Sequence, residues 1–263
     1  MICAGIDAGS RAIKIVLMNA KTHEVLASGH TDQGVTQVAL AQRLLERLLE
    51  QVGRRRDQVA RIVATGYGRN LLDFADTTIT EITCHARGVR HLVADAMTIV
   101  EIGGQDSKLI RLNPQGAVRD FAMNDRCAAG TGRFLEVVAD RLSVELGALG
   151  ELARRSRNPA VISSMCVVFA ETEIVGLLAS GTAPEDIVAG VQKAIAARVA
   201  VMAGRSLDPP ILFTGGVALI PGMVEALQSA LGHPVAVAPQ PLMTGALGAA
   251  LLACRRDATT RSH

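Results

Sequence analysis

Two cysteines in the second half of the chain occupy similar positions, each just ahead of a predicted helix. Cys127 precedes the glycine turn Gly130-Thr131-Gly132, which opens one helix, and Cys166 stands at the start of another helix 39 residues later. A helix N-terminus stabilises nearby negative charge, so both positions favour a reactive or metal-ligating thiolate. A single cysteine is otherwise a small buried hydrophobic residue, which is what we expect of Cys3 and Cys254.

Residues 7–14 (DAGSRAIK) and residues 101–108 (EIGGQDSK) share one pattern at a constant offset of 94. Each copy has an acid at the end of a predicted strand, a turn of small residues, and a lysine on the returning strand. Glycine in such a turn lets backbone N–H groups approach phosphate oxygens, and the acids Asp7 and Glu101 are suited to hold Mg²⁺ through water. The two lysines are candidate neighbours of the phosphates. One hairpin alone would be an ordinary β-turn, but two in register predict an internal repeat that binds phosphate groups.

Hydrophobic periodicity predicts the elements that position these residues. Each repeat begins with three strands, which are Ile2–Asp7, Ala12–Met18 and Glu24–Gly29 in the first copy and Met97–Ile102, Ser107–Leu112 and Ala117–Met123 in the second. Short buried strands at Arg61–Thr65 and Ile211–Thr214 each run into a glycine turn. An amphipathic helix follows the third strand, with Leu40 to Val52 on its apolar face. The other predicted helices are Glu81–Ala94, Gly132–Arg141, Val144–Arg155, Cys166–Leu178, Pro184–Gly204, Pro221–Leu231 and Thr244–Ala253.

Composition argues against several classes of function. A net charge of +2 disfavours a dedicated nucleic-acid-binding protein, which normally has a strong basic excess. The most apolar helix is interrupted by Arg198, so no membrane span is expected. The first residues read directly into a strand rather than a secretory signal, and five cysteines without paired spacing fit a reducing compartment better than a disulfide framework. We therefore expect an intracellular, cytoplasmic protein.

The chain contains, in order, two hairpin turns, the Gly215-Gly216 pair and a helix of small residues. This order resembles that of the actin, Hsp70 and sugar-kinase superfamily. Four further motifs narrow this resemblance, namely residues 65–70 (TGYGRN), 102–106 (IGGQD), 124–136 (NDRCAAGTGRFLE) and 162–171 (ISSMCVVFAE). On these motifs the chain resembles the ATP-dependent activators of 2-hydroxyacyl-CoA dehydratases and, as close relatives, the ATPase subunits of benzoyl-CoA reductases. The resemblance extends from Gly5 to Cys254.

The resemblance implies an α/β protein with two actin-like (ribonuclease H-like) domains and a nucleotide cleft between them. Residues 1–95 would form the N-terminal domain. Residues 96–263 would form the C-terminal domain, which carries Cys127 and Cys166. The last helix, at about residues 244–254, would pack back on the first domain.

The resemblance also implies ATP or ADP, Mg²⁺ and one [4Fe–4S] cluster as cofactors. Cys127 and Cys166 of each chain would ligate the cluster at the two-fold axis of a homodimer, since such a cluster takes four thiolates and one chain offers two. Asp7 and Glu101 would face each other across the cleft and hold Mg²⁺, while Gln105 would orient the attacking water, as glutamine does in other NTPases. The residues expected to bind the nucleotide are Ser10, Arg11, Ala12, Ile13, Lys14, Gly103, Gly104, Gly130, Thr131, Gly132, Arg133, Gly215 and Gly216.

The activity implied by the resemblance is ATP-driven transfer of one electron. Reduced ferredoxin or flavodoxin would reduce the cluster, which would pass the electron to an iron–sulfur acyl-CoA dehydratase or reductase. The sequence leaves open which of these enzymes is the acceptor, whether the oligomer pairs identical subunits, whether residues near Leu242 contact adenine, and what Cys84-His85 does beyond an expected structural role.

Two rival functions belong to the same superfamily. A small-molecule kinase would need an acid to deprotonate a substrate hydroxyl, and Asp106 and Asp125 are the candidates for that role. An actin-like assembly protein would need no redox chemistry. Both alternatives leave Cys127 and Cys166 without a function.

Overall fold

The structure, a computed structural model, describes residues 1–163, 166–204 and 206–255. The chain divides into two compact units. The first comprises residues 1–94 together with the chain from Met243 onward, and the second comprises Asp95–Leu242. Each unit contains one five-stranded mixed sheet.

Ten strands and eight α-helices lie in the described part of the chain. The strands are β1 (Ile2–Ala8), β2 (Ala12–Asn19), β3 (Val25–Asp32), β4 (Val59–Thr65), β5 (Thr77–Thr78), β6 (Thr98–Ile102), β7 (Ser107–Leu112), β8 (Val118–Asn124), β9 (Ile211–Thr214) and β10 (Val235–Val237). The helices are α1 (Gln37–Gln51), α2 (Glu81–Leu92), α3 (Gly132–Leu142), α4 (Leu149–Arg154), α5 (Val167–Ala179), α6 (Pro184–Ala203), α7 (Met223–Leu231) and α8 (Thr244–Ala253).

The two sheets have the same topology. Their strand orders are β3-β2-β1-β4-β5 and β8-β7-β6-β9-β10, with two antiparallel hairpin pairings and then parallel neighbours in each. Asp7 lies opposite Lys14 in the first hairpin, and Glu101 lies opposite Lys108 in the second. The predicted repeat is therefore confirmed in strand order and in register, as is the mixed α/β class.

Strand β1 is buried on both faces, which explains its nearly continuous apolar sequence. Ile2, Ala4, Ile6 and Ala8 pack in one cluster with the leucines of α1. Cys3 belongs instead to a cluster with Ala249 and Ala253 of α8. Alternate side chains of a strand point to opposite faces, so β1 is covered by α1 on one side and by α8 on the other.

Helix α8 is built for close backbone contact. Nine of its ten residues are buried, so it has no solvent face that would call for polar side chains. A Cβ on Gly5 of β1 would lie 2.1 Å from the Ala246 oxygen, and a Cβ on Gly248 would lie 1.8 Å from the Cys84 oxygen of α2. Glycine at these positions is what lets α8 rest directly on β1 and on α2.

The second unit has an aliphatic core around two buried aromatic rings. Phe134 of α3 and Phe213 of β9 are fully buried, and α6 contributes Ile187, Val191, Ile195 and Val199 to the same cluster. None of the helices in the described part of the chain is long and apolar enough to cross a membrane.

Most predicted elements lie within two residues of the observed ones, with four differences, the first of which is that β3 ends at Asp32 rather than at Gly29. The predicted helix Val144–Arg155 is instead a 3₁₀ turn, Leu146–Ala148, followed by the short α4. Ser143 ends α3 in the left-handed conformation, with φ of 53°, and so separates the two segments. The two-residue β5 and three-residue β10 were not predicted.

The contact between α2 and α8 gives a prediction on stability. Gly248→Ala places a methyl group against the α2 backbone, which cannot move aside without separating the helices. We expect a loss of roughly 1–3 kcal/mol in the free energy of unfolding, as is typical of overpacked interiors, measured by chemical denaturation. Gly147→Ala is the control, because no atom lies within 4 Å of its added Cβ. Equal stability of the two variants would contradict the packing described for α8.

Candidate functional site

In the first unit, Asp7 sits in a small cradle of backbone at the end of β1. Its carboxylate is 3.1 Å from the Lys14 Nζ atom, and the residue is only 5% exposed. A Cβ on Gly66 would lie 2.6 Å from Asp7 Oδ1, and a Cβ on Gly245 would lie 3.0 Å from Oδ2. Gly245 belongs to the first turn of α8, whose positive end stabilises the carboxylate.

The second unit repeats this cradle at the end of β6. Lys108 Nζ is 2.8 Å from Glu101 Oε2 and 2.8 Å from Asp106 Oδ2, and its side chain is almost completely buried. A Cβ on Gly103 would lie 3.2 Å from Glu101 Oε1, and one on Gly215 would lie 2.8 Å away. Two acids thus share one lysine in this second cradle.

The cradles share a Thr-Gly pair that the sequence reasoning did not connect. Thr65 of β4 lies beside Asp7, and Thr214 of β9 lies beside Glu101, in the same parallel register. The glycines that follow have φ of +94° and +91°, a left-handed conformation that favours glycine. Both threonines end a short buried strand and precede glycine. This shared sequence pattern could have predicted that the repeat extends to β4 and β9.

Both hairpin turns are closed in the same way. The Gly9 N–H donates to the Ala12 oxygen at 3.1 Å, and the Gly103 N–H donates to the Asp106 oxygen at 3.0 Å. The Gln33 side chain also donates to the Gly9 oxygen at 2.8 Å and anchors the first turn.

Of the residues predicted at the first turn, Ser10 is half-buried and Arg11 is exposed, while Ala12 begins β2. The Ile13 side chain is in the core, so only its backbone is available to a phosphate. Gln105 is exposed in the second turn, next to Gly104.

The segment from Gly130 to Arg133 is joined to the second turn by hydrogen bonds. The Gly132 N–H donates to the Gly103 oxygen and the Arg133 N–H donates to the Gly104 oxygen, both at 2.9 Å. The Thr131 hydroxyl is directed to the Gly104 oxygen at 3.2 Å and the Ala128 oxygen at 2.8 Å. These two amides are therefore engaged by the second hairpin turn, so the segment supports that turn.

The turn after β9 leaves open space at Gly216. The Gly215 N–H and the Thr214 hydroxyl both donate to the Pro241 oxygen, at 3.0 and 2.7 Å. Gly216 is exposed, and the nearest atom to a Cβ added there is Leu242 Cδ1 at 3.9 Å. A flat ligand surface can approach the backbone at this point.

Cys127 is held firmly just before α3. The Asn124 side chain accepts from the Cys127 N–H at 3.1 Å and donates to the Cys127 oxygen at 2.8 Å. A 3₁₀ turn, Ala128–Gly130, then leads from Cys127 to α3. Cys127 thus precedes a 3₁₀ turn rather than α3 itself.

Cys166 is exposed and occupies the N-cap position of α5. This helix carries an apolar face that its own unit leaves uncovered. Val168 is 67% exposed and Phe169 is 69% exposed, and Val175 lies two turns further along the same helix. Exposed apolar groups of this size are typical of surfaces that bind another protein.

The remaining cysteines have structural surroundings. Cys84 is buried, and burial raises the pKa of its thiol to about 12, which disfavours the thiolate. The neighbouring His85 shares a hydrogen bond with the Thr244 hydroxyl at 2.9 Å through Nδ1 and so ties α2 to α8. Cys254 packs against the apolar cluster that contains Cys3. Within the described ranges, no three His, Cys, Asp or Glu side chains of the one chain form a group that could hold a metal ion.

A sequence model of the BadF/BadG/BcrA/BcrD ATPase family matches residues 4–253. The chain belongs to this family. Two relatives of similar length align with almost the whole chain. The activator of lactoyl-CoA dehydratase from Anaerotignum propionicum is 43% identical over 96% of this chain and 97% of its own length. The (R)-2-hydroxyglutaryl-CoA dehydratase activating ATPase from Acidaminococcus fermentans is 40% identical over 97% of both.

A more distant relative in the BadF/BadG/BcrA/BcrD family is one of the subunits of benzoyl-CoA reductase from Thauera aromatica, at 32% identity over 95% of this chain and 92% of its own length. Among solved structures, the activator of the 2-hydroxyisocaproyl-CoA dehydratase from Clostridium difficile with bound ADPNP has a TM-score of 0.91 at 40% identity, covering 97% of this chain and 94% of its own. The ROK hexokinase from Thermus thermophilus, with a TM-score of 0.54 at 16% identity over 96% and 98% of the two chains, shares the fold alone. The actin-like fold expected from the sequence is confirmed.

The buried lysine of the second cradle gives a second prediction. Lys108→Met leaves Glu101 and Asp106 without their shared cation, and removing one partner of a buried ion pair costs roughly 3–5 kcal/mol. We expect the free energy of unfolding, measured by chemical denaturation, to fall by this amount. Arg55→Met, which breaks the exposed Arg55–Asp57 pair, should leave it nearly unchanged because solvent screens that pair. A Lys108→Met protein as stable as the parent chain would refute the structural role of this lysine.

Proposed function

We propose that this protein is an ATP-hydrolysing one-electron donor that activates a 2-hydroxyacyl-CoA dehydratase. The observation that carries the proposal is the direct hydrogen bonding of the Cys127 segment to the Gly103-Gly104 turn. Phosphoryl transfer by a kinase does not require a cysteine connected to the turn that binds phosphate. The identity to dehydratase activators along the whole chain supports the same function.

On the nucleotide side, the two hairpin turns bind phosphate oxygens through their backbones. Asp7 in the first unit and Glu101 in the second, each paired with a lysine, are the carboxylates that would be available to Mg²⁺, an ion that commonly keeps several water ligands in protein sites. Gln105, exposed beside the second turn, orients the attacking water. Gly216 provides the open backbone surface against which the adenosine lies.

The cysteines fit a [4Fe–4S] cluster shared by two copies of the chain. Such a cluster takes four thiolates, and Cys127 and Cys166 supply two. A two-fold dimer supplies the other two from the same patch of its partner. The exposed Val168 and Phe169 beside Cys166 would be covered in that dimer. When bound, the cluster stores and releases one electron at low potential.

Coupling between nucleotide and cluster follows a short path within the second unit. The carbonyls of Gly103 and Gly104 receive the first N–H groups of α3, and the Thr131 hydroxyl links the same turn to Ala128. Ala128 adjoins Cys127, so a movement of the phosphate turn moves the backbone that carries this thiol. ATP drives the change only if it binds the two states of the dimer with different affinity.

ATP is required for an energetic reason. For a one-electron transfer, about 59 mV corresponds to a tenfold change in the equilibrium constant, or about 1.4 kcal/mol. Lowering a potential by several times this amount needs an external source of free energy, which ATP hydrolysis supplies. Reduced ferredoxin or flavodoxin is the proposed electron donor.

A second candidate function is that of an ATPase subunit in a benzoyl-CoA reductase, favoured by the similarity to the Thauera aromatica protein. The same residues would carry it, with another acceptor and paired non-identical subunits. The kinase alternative is weaker, because Asp106, one of its two candidate bases, is bound to Lys108 at 2.8 Å.

The cluster assignment predicts an iron content. Protein purified without oxygen should contain about four iron atoms per two chains and give an EPR signal after reduction by dithionite. Cys166→Ala should lose the iron because it removes two of the four thiolates of the dimer, while ATP binding remains. Cys84→Ala is the matched control and should keep the iron. Iron loss in the control, or a parent protein that stays iron-free after reconstitution, would refute the assignment.

The coupling path predicts a variant that separates ATP hydrolysis from electron transfer. Thr131→Val removes the hydroxyl bonds to Gly104 and Ala128, and the N-cap bond that the hydroxyl accepts from the Arg133 N–H, with little change in shape. A hydrogen bond of this kind contributes about 1 kcal/mol, so ATP-dependent electron transfer should fall about five-fold. Iron content and the KM for ATP should stay unchanged, and Thr83→Val, which alters an exposed hydroxyl of α2, should behave like the parent. A raised KM for ATP in Thr131→Val would show instead that Thr131 contacts the nucleotide.

A further inference from the structure

A second pair of thiols lies in the first unit, away from Cys127 and Cys166 in the sequence and in another unit of the fold. Cys3 is near the start of β1, and Cys254 directly follows α8. Both line a cavity of about 210 Å³. The proposed dehydratase activation uses neither residue.

Packing of α8 on β1 is what brings these cysteines together. Cys3 points to the side of β1 that α8 covers, where it shares an apolar cluster with Ala249 and Ala253. Cys254 packs against the same cluster. A Cβ on Gly5 would lie 2.1 Å from the Ala250 nitrogen, so the backbones of β1 and α8 are in contact two residues after Cys3 and one helical turn before Cys254. Both cysteines therefore lie at one end of the contact between α8 and β1 and line the same cavity.

The walls of the cavity are cationic. Lys21, Arg61 and Arg255 line it together with the two thiols. Arg61 lies beside Cys3 in the parallel register of β4 and β1, and its guanidinium donates to the Arg255 oxygen at 3.4 Å. Positive charge beside a thiol favours the thiolate, which is the reactive form of cysteine.

The two thiols are unequal. The hydrogen bond from Cys254 lowers the pKa of Cys3, and nearby positive charge that includes Arg61 lowers it further against the opposing effect of burial. The same hydrogen bond raises the pKa of Cys254. Because Arg61 lies beside Cys3 in the register of β4 and β1, Cys3 is the proposed nucleophile of the pair, and Cys254 is the thiol that reacts with it afterwards.

We propose that Cys3 and Cys254 form a peroxide-sensitive dithiol that closes into an intramolecular disulfide. The co-reactant is a hydroperoxide, with hydrogen peroxide as the smallest example. A water molecule takes up about 30 Å³ in the liquid, so hydrogen peroxide fits the cavity that both sulfurs line.

The reaction has two steps. The Cys3 thiolate attacks one peroxide oxygen, so an S–O bond forms, the O–O bond breaks, and hydroxide leaves with the electron pair. Cys3 is now a sulfenic acid and no longer an anion, which removes the interaction that kept Cys254 protonated. The Cys254 thiol gives up its proton and attacks the Cys3 sulfur. The S–S bond forms, the S–O bond breaks, and two thiols and one peroxide have yielded a disulfide and two water molecules.

Closing this disulfide ties the end of α8 to the start of β1. The opposite end of α8 carries Gly245, whose backbone flanks the Asp7 carboxylate. The oxidised protein thus holds in place the helix that forms one wall of the first cradle. A dithiol reductant reverses the link by thiol–disulfide exchange.

Cys84 provides an internal comparison, since it belongs to the same apolar cluster. It is fully buried, and burial raises the pKa of its thiol to about 12. Sharing the cluster is therefore not enough for reactivity, and Cys84 is expected to stay reduced.

The test is residue-resolved mapping of thiols in the full chain. Protein purified without oxygen is treated with one equivalent of hydrogen peroxide, its remaining thiols are alkylated, and the digest is analysed by mass spectrometry. We expect a peptide containing Cys3 linked to one containing Cys254, lost after treatment with dithiothreitol. Cys84 should be alkylated only after unfolding. Absence of the linked peptide, or oxidation of Cys84 at the same rate, would overturn the proposal.

Two variants test the order of events. Cys254→Ser should accumulate a sulfenic acid at Cys3, trapped as its dimedone adduct, because the second thiol is missing. Cys3→Ser should give neither a linked peptide nor a sulfenic acid at Cys254. Sulfenic acid at Cys254 in the second variant would contradict the assignment of Cys3 as nucleophile. Mapping individual residues keeps these outcomes separate from any oxidation of Cys127 and Cys166.

Discussion

The hydrogen bonds between the Gly103-Gly104 turn and the start of α3 connect the two halves of the proposed chemistry. The first N–H groups of a helix need acceptors, and here the turn carbonyls supply them at 2.9 Å. The carbonyls of this turn therefore support α3, while the turn is also the proposed contact for phosphate. Cys127 lies one 3₁₀ turn away from this junction and is fixed by Asn124. No long-range signal is needed to connect nucleotide state with the position of this thiol.

The repeated cradle imposes a second constraint. In both units an acid at the end of the central strand is paired with a lysine across the hairpin and is flanked by glycine backbone. A side chain at any of those glycine positions would collide with the carboxylate. The acid therefore requires glycine at these positions, in addition to any requirement of the turn geometry. The copies differ in that Asp106 joins the pair in the second unit. This second cradle, with two acids on one lysine, lies in the unit that carries Cys127 and Cys166.

The sequence was informative wherever a local pattern decides the structure. The spacing of acids and lysines predicted the repeat and its register, and the bounds of β7, β9 and α8 were predicted to the residue. The sequence did not predict features that depend on residues far away in the chain. Strand β10 has only three residues and exists because β9 offers an edge, and the role of Gly132 could not be seen because its acceptor lies far away in the chain. Ile13 stays a prediction as a nucleotide contact, and because alternation along β2 directs its side chain into the core, only its backbone is available for that contact.

The central claim is that ATP hydrolysis drives an electron from this protein to an acyl-CoA enzyme. The most direct measurement is a single-turnover experiment without oxygen, in which the dithionite-reduced protein, freed of excess reductant, is mixed with an oxidised 2-hydroxyacyl-CoA dehydratase and followed by EPR. The account predicts that the dehydratase is reduced by one electron only when ATP and Mg²⁺ are present, and that neither ADP nor a non-hydrolysable ATP analogue supports the transfer. Equal transfer without ATP, or ATP hydrolysis with no transfer to any such acceptor, would contradict it.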